Sequence, residues 1–189
     1  MELTKEPLIF SKWISSMLDP EGTIIKPRVC KQLDYEAELA VIIGKDARNV
    51  KPEEVFEYVF GYTILNDMSA RNLQTSHKQW YFGKSLDDFT PIGPWIVTKD
   101  EFKNPPALPI RSYVNGELRQ DSNTELMING IEKVICELTQ GMTLQAGTII
   151  AMGTPAGVGM GFEPPRFLKR GDVVTCEIEG IGTMTNKIK

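Results

Sequence analysis

Asp34-Tyr35-Glu36-Ala37-Glu38-Leu39-Ala40-Val41-Ile42-Ile43-Gly44 combines two carboxylates at i and i+2 with an apolar run of β character. In a strand, alternate side chains share a face, so Glu36 and Glu38 point the same way. Two like charges held that close are costly unless something positive lies between them. A hard divalent cation meets that need, because Mg²⁺ and Ca²⁺ prefer carboxylate oxygens. The same spacing also suits a solvated strand face, and this stretch by itself leaves both readings open.

A third carboxylate follows downstream. Gly61-Tyr62-Thr63-Ile64-Leu65-Asn66-Asp67 reads as a strand ending in an acid, and Met68-Ser69-Ala70-Arg71-Asn72-Leu73-Gln74 as a short helix capped by Asp67 or Ser69. Asp67 is thus either a helix cap or a third metal ligand at a strand end. Gln79-Trp80-Tyr81-Phe82-Gly83-Lys84-Ser85 adds an aromatic cluster and a Gly-Lys-Ser turn, without the G-x-x-x-x-G-K spacing of a P-loop.

Further elements are spaced along the chain. Leu8-Ile9-Phe10-Ser11-Lys12 reads as a short strand, and Pro52 opens a short helix. Residues 95–98 read as a strand. Residues 110–114 and 117–120 flank Asn115-Gly116, the strongest hairpin signal, since Asn-Gly suits a type I′ turn. Apolar residues at 131, 134, 135 and 138 have helical spacing. Residues 147–152, 173–178 and 184–188 complete the strands. Strands outnumber helices without alternating regularly with them, which predicts an α+β, strand-dominated fold in a single domain over residues 1–189.

The chain has 189 residues, 41% hydrophobic and 24% charged, with a net charge of −4. Its basic residues are scattered, which argues against nucleic acid as a partner. No apolar run approaches the roughly 20 residues that span a bilayer, so no membrane association is expected. Cys30, Cys136 and Cys176 are odd in number and form no C-x-x-C pair; a reducing intracellular compartment fits them.

The ordered set Glu36-Ala37-Glu38-Leu39-Ala40, Asn66-Asp67-Met68-Ser69-Ala70-Arg71, Gly83-Lys84-Ser85, Pro91-Ile92-Gly93-Pro94, Val114-Asn115-Gly116-Glu117, Gly153-Thr154-Pro155-Ala156-Gly157-Val158-Gly159 and Ile178-Glu179-Gly180-Ile181-Gly182 resembles the fumarylacetoacetate hydrolase family, from about Glu6 to the C-terminus. Phe10-Ser11-Lys12 and Pro164-Pro165-Arg166-Phe167-Leu168-Lys169-Arg170-Gly171-Asp172 look most like the group named fumarylacetoacetate hydrolase domain-containing protein 2. The resemblance implies a mixed β-roll, usually a homodimer. It also implies a metal held by Glu36, Glu38 and Asp67, with Mg²⁺ or Mn²⁺ expected and Ca²⁺ able to replace them in crystals.

Three carboxylates leave about half of an octahedral shell open for water or a bidentate substrate. A small 2-oxo acid chelates through a carboxylate oxygen and its 2-oxo oxygen, and the metal stabilises the enolate. Acylpyruvate hydrolysis, decarboxylation and keto–enol tautomerisation share that device. The subgroup points to an oxaloacetate keto–enol tautomerase, with C–C hydrolase or decarboxylase as the alternative and a non-catalytic metal-stabilised member as the other.

By resemblance Lys84 lies beside the metal and contacts substrate, as both a catalytic and a binding group. Arg71 and Gln74, three apart on one helical face, and Thr154, through hydroxyl and backbone, are the further substrate-binding candidates. Arg71 reads equally well as a structural ion-pair partner and Thr154 as a turn residue. Asp87 is a candidate supporter of Lys84 or a solvated loop acid. His77, the one histidine, sits in a polar segment and is expected at the surface. Relatives usually carry an upstream His-x-x-Glu lid; that segment is expected to be absent here, which would remove the hydrolytic base. The compartment is expected to be the mitochondrial matrix or the cytoplasm.

Overall fold

The computed structural model describes residues 6–189. The described chain runs β1 (Met17–Leu18), β2 (Thr23–Ile24), β3 (Leu33–Asp34), β4 (Ala37–Ile43), α1 (Val55–Tyr58), β5 (Val59–Asn66), β6 (Ser69–Ala70), α2 (Arg71–Ser76), α3 (Tyr81–Lys84) and β7 (Thr90–Thr98). It continues with β8 (Pro109–Val114), β9 (Glu117–Asn123), α4 (Ile131–Gly141), β10 (Ile149–Ala151), β11 (Val173–Ile178) and β12 (Gly182–Ile188). One sheet has the order β1-β7-β5-β4-β10, a second β2-β12-β11-β8-β9, and β3 and β6 form a two-stranded ribbon. Both large sheets are antiparallel except at their first pairs, β1 with β7 and β12 with β2, which run parallel. This is the expected strand-dominated, mixed β-roll.

β4 explains the packing. It lies inside the first sheet, between β5 and β10, and every one of its residues is buried. Leu39, Val41 and Ile43 enter a continuous core with Ile64 of β5, Ile110 and Val114 of β8, and Val174 and Ile178 of β11. Each such side chain contributes about 1.5–3 kcal/mol when fully buried. α4 covers part of this core with Ile131, Ile135 and Leu138, three of the positions whose helical spacing was read from the sequence. In the β8–β9 hairpin Asn115 and Gly116 adopt φ of 53° and 80°, as a type I′ turn requires.

Residues 33–38 and 65–70 form one antiparallel run interrupted at its centre. Leu33 faces Ala70 and Asp34 faces Ser69; Ala37 faces Asn66 and Glu38 faces Leu65. Between the two ladders the Asp67 N–H donates to the Glu36 carbonyl at 2.8 Å. The same register therefore brings Asp67 opposite Glu36.

Two local expectations differ. Leu8 to Lys12 is irregular rather than a strand. Among the described residues no strand pairs with it; its anchors are side chains, with Phe10 against Trp80 at 5.4 Å and Lys12 reaching inward. The helix expected from Met68 begins at Arg71, because Ser69 and Ala70 are held in the ribbon with β3. Asp67 caps nothing; lysines claim its carboxylate.

Candidate active site

Glu36, Glu38 and Asp67 are 8%, 3% and 1% exposed, and one carboxylate oxygen from each lies within 4.8 Å of the others. The broken ladder accounts for this. Glu36 precedes β4, Glu38 follows two residues later on the same face, and Asp67 leaves β5 opposite Glu36. Their closeness therefore follows from strand register.

Lys84 closes the cluster. Its Nζ donates to Glu36 Oε2 at 2.6 Å and to Asp67 Oδ2 at 2.7 Å, and the residue is 1% exposed. It gets there because α3 packs directly on α2. A Cβ on Gly83 would lie 2.5 Å from the Gln74 backbone nitrogen, so only glycine allows that approach. Burial disfavours the Lys84 ammonium, but Asp67, Glu36 and Glu38 outweigh it and raise its pKa.

Lys12 was quoted from sequence only within Phe10-Ser11-Lys12 and given no site role, yet it enters the same cluster. Its Nζ donates to Asp67 Oδ1 at 2.5 Å, to the Phe89 carbonyl at 3.1 Å and to the Lys84 carbonyl. Here burial prevails over the pull of Asp67, and its pKa is lowered. Burial alone would raise the Asp67 pKa; Lys12 and Lys84 together hold it below the ordinary carboxylate value.

Arg71 opens α2 and is also buried. Nη1 lies 2.6 Å from Glu36 Oε1 and 3.1 Å from Gln74 Oε1, and Nε lies 2.9 Å from Asp34 Oδ2. Among the described residues Nη2 has no hydrogen-bond partner. Asp34, also missed as a site residue, accepts the backbone N–H of Gly159 at 2.6 Å and of Met160 at 3.0 Å. It thereby links Arg71 to the glycine-rich loop over residues 153–160. Thr154, on that loop, donates its hydroxyl to the Ala37 carbonyl at 2.9 Å and accepts from Gln120 at 2.7 Å. Asp87 is exposed, in keeping with a solvated acid. His77 is exposed too, its ring against Phe82 at 5.2 Å.

The charge balance tests whether a divalent cation suits this site. Among the described residues four carboxylates (Asp34, Glu36, Glu38, Asp67) meet three cations (Lys12, Arg71, Lys84), one negative charge in excess. The excess falls on Glu38, which the Gly153 N–H reaches at 2.7 Å while the three cations pair with the other acids. Burial, then Asp67 and Glu36, push its carboxyl up to about 8. The cluster therefore lacks positive charge at the carboxylate that shares a face with Glu36, and a set of hard oxygen donors there fits a divalent ion. A nearby ammonium on two of those donors provides a group able to donate to a ligand held at the same place.

The sequence profile described as fumarylacetoacetate (FAA) hydrolase C-terminal matches residues 1–189. The chain is 47% identical to oxaloacetate tautomerase YisK of Bacillus subtilis over 189 residues, covering 99% of this chain and 62% of that protein. It is 46% identical to the mitochondrial oxaloacetate tautomerase Fahd2a of Rattus norvegicus, covering 100% of this chain and 60% of the relative. It thus spans about three-fifths of the length of these two relatives. A solved fumarylacetoacetate hydrolase from Exiguobacterium antarcticum superposes with a TM-score of 0.94 at 49% identity, over 96% of this chain and 66% of that one.

Proposed function

This chain belongs to the fumarylacetoacetate hydrolase family, and on that premise we propose that it forms the catalytic part of a divalent-metal-dependent enzyme acting on small 2-oxo acids, with oxaloacetate keto–enol tautomerisation as its reaction. The observation that carries the reading is the buried triad of Glu36, Glu38 and Asp67 with Lys84 Nζ at 2.6 and 2.7 Å from two of its members. In the proposal these three carboxylates hold Mg²⁺ or Mn²⁺. When bound, such an ion supplies Lewis-acid stabilisation of negative charge on the 2-oxo oxygen.

The chain's own groups do the rest. Arg71 supplies a guanidinium whose Nη2 is buried and unpartnered among the described residues; a substrate carboxylate would satisfy it. Gln74, bonded to Arg71, limits where that carboxylate can sit. The loop of Thr154, held to Ala37 beside the triad, is the further contact proposed for a substrate carboxylate. Lys84 Nζ gives its proton to C3 of the enol and recovers one from the 2-hydroxyl. The lysine ends as it began, and the substrate has exchanged an O–H for a C–H. A lysine kept cationic by its carboxylate neighbours suits the donating half of that cycle.

The relatives named oxaloacetate tautomerase favour this reaction over hydrolysis or decarboxylation. A homodimer is part of the proposal, supported by Trp95 and Ile96 of β7, 61% and 48% exposed, which are large apolar groups to leave in water. An intracellular location is proposed on the three free cysteines and on the mitochondrial label of the rat relative. Among the described residues no helix is long and apolar enough to cross a membrane.

The test is a paired assay with chelator and with added Mg²⁺. Enol-oxaloacetate absorbance should decay faster only with metal, without release of pyruvate. Metal-dependent pyruvate release would replace tautomerisation with decarboxylation. Cleavage of acetylpyruvate would make the protein a C–C hydrolase. Metal binding by calorimetry with no turnover in any arm would leave a non-catalytic family member.

A further inference from the structure

We infer that Gln120 is a positioning residue that fixes the Thr154 loop against the carboxylate-bearing strand, and that the Thr154 hydroxyl is an internal strut holding that loop beside the substrate site. The inference rests on the proposed function for its substrate.

Gln120 is 0% exposed and lies on β9, opposite Ser112 of β8. Two of its partners have fixed polarity. A carbonyl only accepts, and the Pro155 carbonyl lies 2.8 Å from Nε2. A backbone N–H only donates, and that of Ala37 lies 3.1 Å from Oε1. The amide therefore has one orientation. Nε2 gives its second hydrogen to Thr154 Oγ1 at 2.7 Å, and Ser112 Oγ donates to Oε1 at 2.8 Å. A side-chain amide has two donor hydrogens and two acceptor lone pairs, and all four are used.

The polarity then passes to Thr154. Its oxygen already accepts from Gln120, and its other partner is the Ala37 carbonyl, which only accepts, at 2.9 Å. The single hydroxyl hydrogen is spent there, leaving a lone pair that a carboxylate would not approach favourably. Ala37 sits between Glu36 and Glu38, and both of its backbone polar groups are held by this pair, the N–H by Gln120 and the carbonyl by Thr154. Gly153 N–H to Glu38 at 2.7 Å ties the start of the loop to the same strand. Loop and triad are thus referenced to one strand through two neutral side chains.

Gln120→Glu separates the two halves of the clamp. It keeps an acceptor toward Ala37 and Ser112 but places an oxygen against Pro155 and Thr154. Thr154→Val removes the strut with little change in shape, and Thr154→Ser retains it. The measurements are Mn²⁺ binding by calorimetry, oxalate binding to the Mn²⁺-loaded protein, and kcat and KM for enol-oxaloacetate. Gln120→Glu and Thr154→Val should bind Mn²⁺ within about threefold of wild type, yet weaken oxalate and raise KM by at least about tenfold, the scale of one charge-assisted hydrogen bond. The change in kcat should be smaller, and Thr154→Ser should behave as wild type.

Wild-type oxalate affinity and KM in folded Gln120→Glu or Thr154→Val would overturn the inference. So would equal losses of metal and oxalate, which would mark a general structural role. Loss in Thr154→Ser matching that in Thr154→Val would overturn the strut. If Gln120→Glu does not fold, Thr154→Val decides alone. A wild type that binds neither Mn²⁺ nor oxalate would sink the proposed function itself, a result distinct from all of these.

Discussion

Glu36 and Glu117 each sit between two cations at nearly the same distances. Glu36 has Lys84 and Arg71, both at 2.6 Å. Glu117 has both terminal nitrogens of Arg166, at 2.7 and 2.9 Å, with Arg119 at 3.2 Å. Contact lengths alone would rank them together. Their surroundings differ: the Glu36 side chain is 10% exposed inside the roll, whereas the Glu117 side chain is 52% exposed on the hairpin. Water reaches Glu117 and Arg166 in the second set, with only Arg119 buried, at 8% exposure, and a Debye length of about 8 Å at physiological salt weakens their pairing further. In the first set each charge has lost its water and depends on its partners, so removing one strands the others. The sensitivity that suits a group to chemistry comes from that dependence.

Glu36→Gln should have the largest effect. It removes a proposed ligand and the shared anion of Arg71 and Lys84 together. Mg²⁺ affinity by calorimetry should fall more than about 100-fold, beyond the 10–100-fold typical of groups that only support a ligand. Breaking a buried pair costs about 3–5 kcal/mol, so thermal unfolding should shift clearly downward. Unchanged metal affinity would remove Glu36 from the site and erase the contrast with Glu117.

Lys84→Met separates charge from ligation. Enol-oxaloacetate turnover should fall about 10²–10⁴-fold, the usual worth of a positioned acid–base group. Metal affinity should hold or improve, because a cation competing for Glu36 and Asp67 has gone. A parallel loss of metal binding would make Lys84 structural. Lys12→Met comes next in size. It takes the Lys12 donor from the Lys84 carbonyl and Asp67 Oδ1, while the Phe89 carbonyl keeps the Met68 N–H at 3.2 Å, at about 1–3 kcal/mol for each group that stays buried and unsatisfied. Its thermal midpoint should drop while turnover declines less than in Lys84→Met.

The ranking follows what was legible in the sequence. Glu36, Glu38 and Asp67 announce themselves because strand periodicity sets which side chains share a face and a strand end shows where an acid is presented. β4, the β8–β9 hairpin and α4 were readable for the same reason: each carries its own period or turn chemistry. The role of Lys12 was not readable, since a single lysine in an apolar segment carries no periodicity of its own, and its partner Asp67 lies 55 residues away. The strand expected around it fails because strands depend on neighbours that local composition cannot supply. Asp34 and Gln120 lay in quoted motifs, but their work is done across the fold, on Gly159, Met160 and Thr154. Only a hydrogen bond of known polarity at a known distance exposes that.

Glu117→Gln should have the smallest effect and closes the comparison. It removes the carboxylate that Arg166 and Arg119 share, at contact distances matching those around Glu36. Arg166, 43% exposed at its side chain, can return to water, and the Gln amide oxygen still offers an acceptor to Arg119, whose side chain is 8% exposed. Arg119 keeps its packing on Phe162 at 5.2 Å. The expected result is unchanged kcat, KM and Mg²⁺ affinity, with a thermal midpoint inside experimental scatter and the small difference vanishing in about 1 M salt. A shift comparable to that of Glu36→Gln would mean that the hairpin cluster is covered in the working protein, as a dimer contact or by further chain, and that its exposure on this domain understates its burial.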